Sequence, residues 1–115
     1  MGGLAFRRRN RLLRPAEFAE VFDTRRVLRG LLFALHLRAH ARPLARLGLV
    51  IPRKRAAAAV LRNAIKRQAR EAFRQRRDRL EGFDLVLRLV RPVGAPDKGG
   101  WRTEICTLFD RVERG

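Results

Sequence analysis

Residues 46–74 read RLGLVIPRKRAAAAVLRNAIKRQAREAFR and carry the clearest local pattern of the chain. The short apolar run at residues 46–51 predicts a buried β-strand, which Pro52 closes. An alanine-rich segment without Pro or Gly follows and predicts a helix that continues to about Leu80. The apolar side chains of this helix recur at helical spacing and predict one buried stripe, formed by Leu61, Ile65, Ala69, Ala72 and Phe73.

Two predicted elements precede this segment. Pro15 and Glu17 favour the start of a helix, since Pro suits the first turn and a carboxylate suits the positive end of the helix dipole. The apolar face of this helix is predicted from residues at i, i+3 and i+4, namely Phe18, Val21 and Phe22. The leucine-rich residues 27–38 predict a strand. Their length also allows a buried helix, but Gly30 and the flanking turn residues favour the strand.

Further elements follow the long helix. Gly82 is predicted to end it, residues 84–90 predict a third strand, and residues 92–100 predict a loop. A final helix is predicted from an apolar stripe formed by Trp101, Ile105, Leu108, Phe109 and Val112. The order helix, strand, strand, helix, strand, helix predicts an α+β fold, an α/β sandwich in which helices pack on a mixed sheet. We expect this sheet to have three strands, or four if the first strand region at residues 27–38 is split.

Length and composition bound the organisation of the chain. A chain of 115 residues suits a single domain, which we expect over residues 15–115, after a flexible basic arm at residues 1–14 with little to bury. The single cysteine, Cys106, cannot form an internal disulfide. No apolar run is long enough for a signal peptide or a membrane span, so we expect a cytoplasmic protein without a membrane partner.

The charge balance points to a polyanionic partner. The chain has 28 Lys and Arg against 11 Asp and Glu, a formal net charge of +17. Such an excess repels itself in the folded state and is tolerated when a partner supplies phosphate, so nucleic acid is the first candidate. A GC-rich genome would favour Arg over Lys, but it would not produce the charge excess itself.

A resemblance to a known family rests on three matches. Residues 62–71 read Arg-Asn-x-Ile-Lys-Arg-x-x-Arg-Glu. They follow a strand in which Gly48 comes two residues after Arg46, and then the basic loop at residues 53–55. Residues 17–22 read Glu-Phe-x-x-Val-Phe, and an apolar strand ends at Arg91 and Pro92. From about residue 11 to residue 112 the chain is similar to the bacterial ribonuclease P protein family. The resemblance implies the topology of that protein, shared with the second domain of ribosomal protein S5, and a left-handed βαβ crossover.

The resemblance also implies a function and its RNA-binding residues. Family members bind a catalytic RNA and assist the endonucleolytic removal of the 5′ leader from precursor tRNA. They contact the catalytic RNA through the long helix that carries residues 62–71. The expected contacts to the catalytic RNA are Arg53, Lys54, Arg62, Asn63, Lys66, Arg67 and Arg70. A solvated helix face would explain the same charges, but no acidic residue interrupts the face before Glu71. Ala64 departs from the Arg that is usual in the family.

Aromatic residues are the candidates for a leader-binding cleft. By spacing alone, Phe18 and Phe22 are core anchors of the first helix. The resemblance instead places them in a cleft between this helix and the sheet, where unpaired RNA can stack. A strand residue completes that cleft, and the candidates are Phe33 and His36.

The sequence offers little for protein-based catalysis. His36 and His40 have no acidic neighbour in sequence and are interpreted as incidental, and the carboxylates are scattered without metal-ligand spacing. We therefore expect no catalytic or metal-binding residue and no cofactor held by the protein. In the family the RNA subunit performs the hydrolysis with magnesium. The expected partners are ribonuclease P RNA and precursor tRNA, with no protein partner required. The alternatives are a structural RNA-binding protein of ribosomal type and an independent basic nuclease.

Overall fold

The computed structural model of the chain describes residues 8–113. Its elements are a 3-10 helix Arg8–Asn10, α1 Pro15–Asp23, β1 Val27–Arg29, β2 Phe33–Ala39, β3 Arg46–Val50, α2 Ala59–Gln75, β4 Phe83–Leu89 and α3 Lys98–Asp110. The predicted α+β class is confirmed, with the first strand region split into two strands. Within residues 8–113, none of the helices combines the length and the apolar character needed to cross a membrane.

The four strands form one mixed sheet in the order β1-β2-β4-β3. The pairs β1–β2 and β2–β4 are antiparallel, and β3–β4 is parallel. The parallel pair needs a crossover connection, which α2 supplies. The left-handed sense of that crossover stays a prediction.

The main core lies between the sheet and the helices α2 and α3. Alternate residues of β2 and β4 point into it, among them Phe33, Leu35 and Leu85, each fully buried. The predicted stripes of α2 and α3 are buried against these strands. The two long helices therefore cover one face of the sheet, and α1 packs on the other.

The helix α1 crosses that other face over one row of residues in the strand register. Gly48, Val86 and His36 lie directly opposite one another across β3, β4 and β2. Phe18 of α1 packs on Gly48, and Phe22 packs on His36. Between them, Val21 shares a small second core with Val86 and Leu12. The helix thus runs across the strands in their spatial order, from β3 to β2.

The end of α2 differs from the prediction. The helix ends at Gln75, and turns rather than helix continue to a fully buried Leu80. The reason is a set of contacts with the C-terminal end of α3, where the Arg79 guanidinium donates to the carbonyls of Phe109, Asp110 and Val112. Gly82 does not end the helix. It adopts φ 89° immediately before β4, a conformation that favours glycine.

The predicted N-terminal arm is partly wrong. The buried Asn10 side chain donates to the Ala45 carbonyl at 2.8 Å, and the Leu12 amide donates to the Leu47 carbonyl at 3.1 Å. Leu12 is also buried in the second core, so residues 10–12 follow the outer edge of β3. Order therefore begins before Pro15, because the segment has both backbone partners and an apolar site. Residues 1–7 of the predicted arm lie outside the described residues.

The absence of a side chain at Gly48 allows α1 to lie close to the sheet. A methyl group added at this position tests that close approach. A Cβ at this position would lie 2.6 Å from two ring carbons of Phe18 and 3.2 Å from Cβ of Leu12. We expect Gly48→Ala to lower the free energy of unfolding by about 1–3 kcal/mol through overpacking. Urea denaturation measures this loss. Gly94→Ala is the matched control, because a Cβ there meets nothing within 4 Å. Equal stability of the two variants would contradict the close packing of Phe18 on β3.

Candidate nucleic-acid interface

A buried ionic cluster fixes α1 to the sheet. Asp84 is 1% exposed and accepts two hydrogen bonds from Arg46, at 2.9 Å from Nε and 2.7 Å from Nη2. The remaining amino group of Arg46 donates to Oε2 of Glu17 at 2.8 Å. The Arg46 guanidinium thus links a helix to two adjacent strands. Bidentate pairing of this kind satisfies a buried carboxylate that would otherwise be costly to desolvate.

Glu17 also fixes the start of α1. Its Oε1 accepts hydrogen bonds from the amides of Leu13 and Arg14 at 2.9 and 3.0 Å. These amides, followed by the charge of Arg46, lower the pKa of Glu17 below its usual value. One carboxylate therefore satisfies the helix terminus and the guanidinium together.

His40 belongs to the same cluster. Its Nε2 lies 3.2 Å from Oδ1 of Asp84, and Arg38 approaches the other carboxylate oxygen at 3.6 Å. The sequence separation of 44 residues explains why no acidic neighbour was visible for this histidine. His40 is thus a structural partner of Asp84.

The sheet face beneath α1 consists of three parallel rows of side chains. The ionic row is the cluster just described, and the central row lies directly under α1. The third row, called the cationic row here, contains Val50, Arg88, Ala34 and Arg29, which lie opposite one another across the four strands. Arg29 is exposed, and Arg88 is half-buried. The cationic row therefore runs beside the aromatic side chains of α1.

The structure brings three of the four predicted cleft residues together. The rings of Phe22 and His36 meet edge to face with centroids 4.8 Å apart, and Phe18 lies one turn earlier on the same helix. Phe22 remains 36% exposed. Phe33 is excluded, because its side chain is fully buried in the main core on the opposite face of the sheet. The alternation of side chains along β2 separates the two candidates.

His36 lies in a desolvated and positively charged environment. Its ring is half-buried, and Nε of Arg88 lies 3.4 Å from Nε2. Burial lowers the pKa of His36 below 6.5, and the charges of Arg88 and Arg29 lower it further. The imidazole is therefore neutral at pH 7, and its Nε2 faces a guanidinium donor.

The exposed side of α2 carries the predicted cations. Asn63, Arg67, Arg70 and Arg74 line, together with Glu71, a shallow depression of about 450 Å³. Arg74 is paired with Glu71. Among residues 8–113, the salt bridges include none to Lys66, Arg67 or Arg70. These three positive charges are therefore not neutralised by a described carboxylate.

A second depression connects α2 with α1. It has a volume of about 150 Å³, and its lining includes Phe18, Gly48, Lys66, Arg70 and Arg11. Partial burial lowers the pKa of Arg70, and the neighbouring charge of Arg11 adds to that effect. Phe18 of α1 and two of the α2 cations, Lys66 and Arg70, thus border one hollow.

The remaining predicted contacts differ in their surroundings. Arg62 donates through Nη1 to the carbonyls of Ala56 and Ala57, at 3.0 and 2.8 Å, so part of its guanidinium supports the start of α2. Arg53 and Lys54 are exposed in the loop after β3. Ala64 is buried in the main core, so its position faces the sheet.

Fold and charge together define a small, strongly basic α+β protein with cations gathered on α2 and on the sheet face beside α1. Comparison with known proteins specifies it further. The family model for ribonuclease P matches residues 6–113. The ribonuclease P protein component of Azoarcus sp. is 43% identical over 103 residues, which span 90% of this chain and 86% of the relative. That of Burkholderia mallei is 49% identical over 119 residues, spanning 96% and 87%.

Solved structures show the same architecture. The Thermotoga maritima RNase P protein superimposes with a TM-score of 0.74 at 28% identity, covering 92% of this chain and all 100% of that one. The Staphylococcus aureus RNase P protein gives a TM-score of 0.73 at 21% identity, covering 88% and 93%, and shows the fold alone. The chain belongs to the ribonuclease P protein family.

The environment of His36 predicts its titration. NMR titration of the ring should give a midpoint below 6.5, and Arg88→Gln should raise the pKa of His36 by removing a nearby positive charge. The unfolded chain binds this proton more readily. The stability contributed by His36 is therefore fully present above its unfolded pKa and is lost as pH falls through the folded pKa. Arg67→Gln, on the other side of the sheet, is the control and should leave the midpoint unchanged. A midpoint above 6.5 in the wild-type protein would contradict the described environment.

Proposed function

We propose that this chain is the protein subunit that binds both ribonuclease P RNA and the 5′ leader of precursor tRNA, and that it assists removal of the leader. The observation that carries the proposal is the hollow shared by Phe18 of α1 and the α2 cations Lys66 and Arg70. A protein that bridges two RNAs needs two adjoining surfaces, one for each. Membership of the ribonuclease P family supports this interpretation.

The face beside α1 suits a single-stranded leader. Unpaired bases stack on aromatic rings, and cations beside the rings track the phosphates. Phe22 is exposed next to His36, and the cationic row places Arg88 and Arg29 alongside. The neutral His36 imidazole can offer both a ring face and a hydrogen bond to a base. We therefore assign leader binding to Phe18, Phe22 and His36 with these arginines.

The exposed side of α2 suits a folded RNA. Lys66, Arg67 and Arg70 stand on one rigid helix without described carboxylate partners, and Asn63 adds an amide that can contact a sugar or phosphate. Arg53 and Lys54 extend the positive surface at the start of the helix. We assign this surface to the catalytic RNA. Arg62 takes a smaller part, since its guanidinium is partly used by the backbone.

The proposed mechanism is electrostatic bridging. Catalytic RNA and precursor tRNA repel each other, and a basic wedge that touches both reduces that repulsion, while leader contacts add affinity that mature tRNA lacks. In this proposal the RNA subunit carries the phosphodiester hydrolysis with magnesium, and the protein alone is not catalytic. The proposed site of action is the cytoplasm, with no further protein partner and no membrane.

Reconstitution tests the proposal. Combined with a bacterial ribonuclease P RNA at low magnesium, the protein should increase the rate of 5′ leader cleavage from precursor tRNA. The protein without RNA should produce no cleavage. Binding without faster cleavage would instead indicate a structural RNA-binding protein, and cleavage by the protein alone would indicate an independent nuclease.

The role of the α2 cations predicts a change in salt dependence. Replacing Lys66, Arg67 and Arg70 together by Gln should reduce the slope of log affinity against log salt by about 2, because each phosphate contact contributes roughly 0.7–0.9. Filter binding to ribonuclease P RNA measures this slope. Arg76→Gln is the control, since Arg76 is already paired with Asp110. An unchanged slope in the triple variant would remove α2 from the RNA interface.

The role of Phe22 predicts a selective loss. Phe22→Leu keeps an apolar side chain but removes the aromatic ring, and we expect affinity for precursor tRNA in the holoenzyme to fall about 5–30-fold. Affinity for mature tRNA should not change, because the leader is absent. Leu31→Ala removes an exposed apolar side chain elsewhere and should have no effect. If Phe22→Leu lowers the affinity for precursor tRNA and for mature tRNA equally, the assignment of Phe22 to leader binding is wrong.

A further inference from the structure

Arg25 adopts a backbone conformation that is unfavourable for its side chain. Its φ is 58°, and no other described residue besides glycine has a positive φ. It directly follows the last residues of α1, and its amide donates to the Phe22 carbonyl at 3.1 Å. This is the position after a helix C-cap that glycine usually occupies and asparagine sometimes does. A residue with a Cβ is strained there.

The turn itself is fixed by other groups. The Thr24 hydroxyl lies 2.8 Å from the carbonyls of both Val21 and Leu37, and it accepts a hydrogen bond from the Arg26 amide at 3.2 Å. These contacts close the helix and attach it to β2 through the backbone and Thr24. The Arg25 side chain is exposed and contributes none of them. The fold therefore needs the conformation at residue 25, but it does not need arginine.

The side chain of Arg25 borders a positively charged hollow. A depression of about 390 Å³ at the outer edge of the sheet is lined by three arginines, one carboxylate and three apolar residues, namely Arg25, Arg26, Arg111, Glu113, Val27, Leu28 and Leu37. Among residues 8–113, no salt bridge involves these three arginines. Arg26 and Arg111 donate instead to the backbone carbonyls of Glu113 and Arg29, at 3.4 and 3.2 Å. An anion in the hollow would meet three guanidinium groups that have no carboxylate partner to give up, against the single carboxylate of Glu113.

We propose that this hollow binds an RNA phosphate and that Arg25 is retained in its strained conformation because it contacts that phosphate. The inference rests on the proposed function and extends it. Leu28 and Leu37 in its wall belong to the main core, and Arg111 directly follows α3, so the hollow opens on the α3 side of the β1 edge. Arg25 reaches it from the end of α1. Backbone strain at an exposed position with an unpaired charge is typical of a residue kept for binding.

A substitution series at residue 25 separates strain from charge. Arg25→Gly and Arg25→Asn remove the charge and relieve the strain, so the Tm of the free protein should rise by roughly 2–6 °C. Arg25→Ala removes the charge and keeps the strain, and Arg25→Lys keeps both. RNA affinity should fall about 5–20-fold for the Gly, Asn and Ala variants and stay near wild type for Lys. The salt slope should fall by roughly 0.7–0.9 in the three uncharged variants.

Binding measurements with different RNAs identify which RNA supplies the phosphate. Each variant is measured against ribonuclease P RNA alone, and in the holoenzyme against precursor tRNA with and without a leader. A loss confined to the substrate with a leader assigns the phosphate to the leader, and a loss with ribonuclease P RNA alone assigns it to the catalytic RNA. Both results support the site.

Two results would overturn the site. One is unchanged RNA affinity in the Gly and Asn variants, and the other is a lower Tm in those variants, which would show that Arg25 serves the fold. The wild-type protein is assayed for faster leader cleavage in the same experiment. Absence of that effect would overturn the proposed function, whereas normal wild-type activity with unaffected variants would overturn this site alone.

Discussion

The pairing of the Arg46 guanidinium with two carboxylates is the interaction on which the sheet face beneath α1 depends. The guanidinium pairs with the buried Asp84 of β4 and with Glu17 of α1, while Glu17 also binds two amides before the helix. Removing one partner from such a buried pair typically costs about 3–5 kcal/mol, because the remaining charge stays desolvated. The pair therefore holds the N-terminal end of α1 over β3, and Thr24 holds the other end over β2.

The position of α1 decides what the sheet face can bind. A helix held at both ends covers the central row and leaves the cationic row beside it. Phe22 of this helix then contacts His36, whose ring lies next to Arg88. Gly48 allows Phe18 to approach β3 closely, and the ring then borders the hollow that reaches Lys66 and Arg70. The same closeness places the aromatic surface next to the α2 surface. The adjacency of the two proposed RNA-binding surfaces thus follows from where a nine-residue helix is attached.

Periodicity predicted much of this architecture, and it failed where partners are distant in sequence. The stripes of α2 and α3 repeat within a few residues, so their burial was predictable from local spacing. The Arg46–Asp84 pair spans 38 residues and has no local signal, and neither has the contact of His40. The choice between Phe33 and His36 depended on strand register, which a leucine-rich run does not specify. The end of α2 was misplaced because Arg79 binds α3, a contact between helices that propensity does not encode.

Every proposed role of the face that carries α1 requires that this face bind the single-stranded leader. NMR titration of the ¹⁵N-labelled protein with a short leader oligonucleotide tests it most directly. We expect shifted amide signals in α1 around Phe22 and along the strands at His36 and Arg88, with signals of α3 unchanged. Shifts confined to α2 or α3, with α1 and the cationic row unaffected, would contradict it.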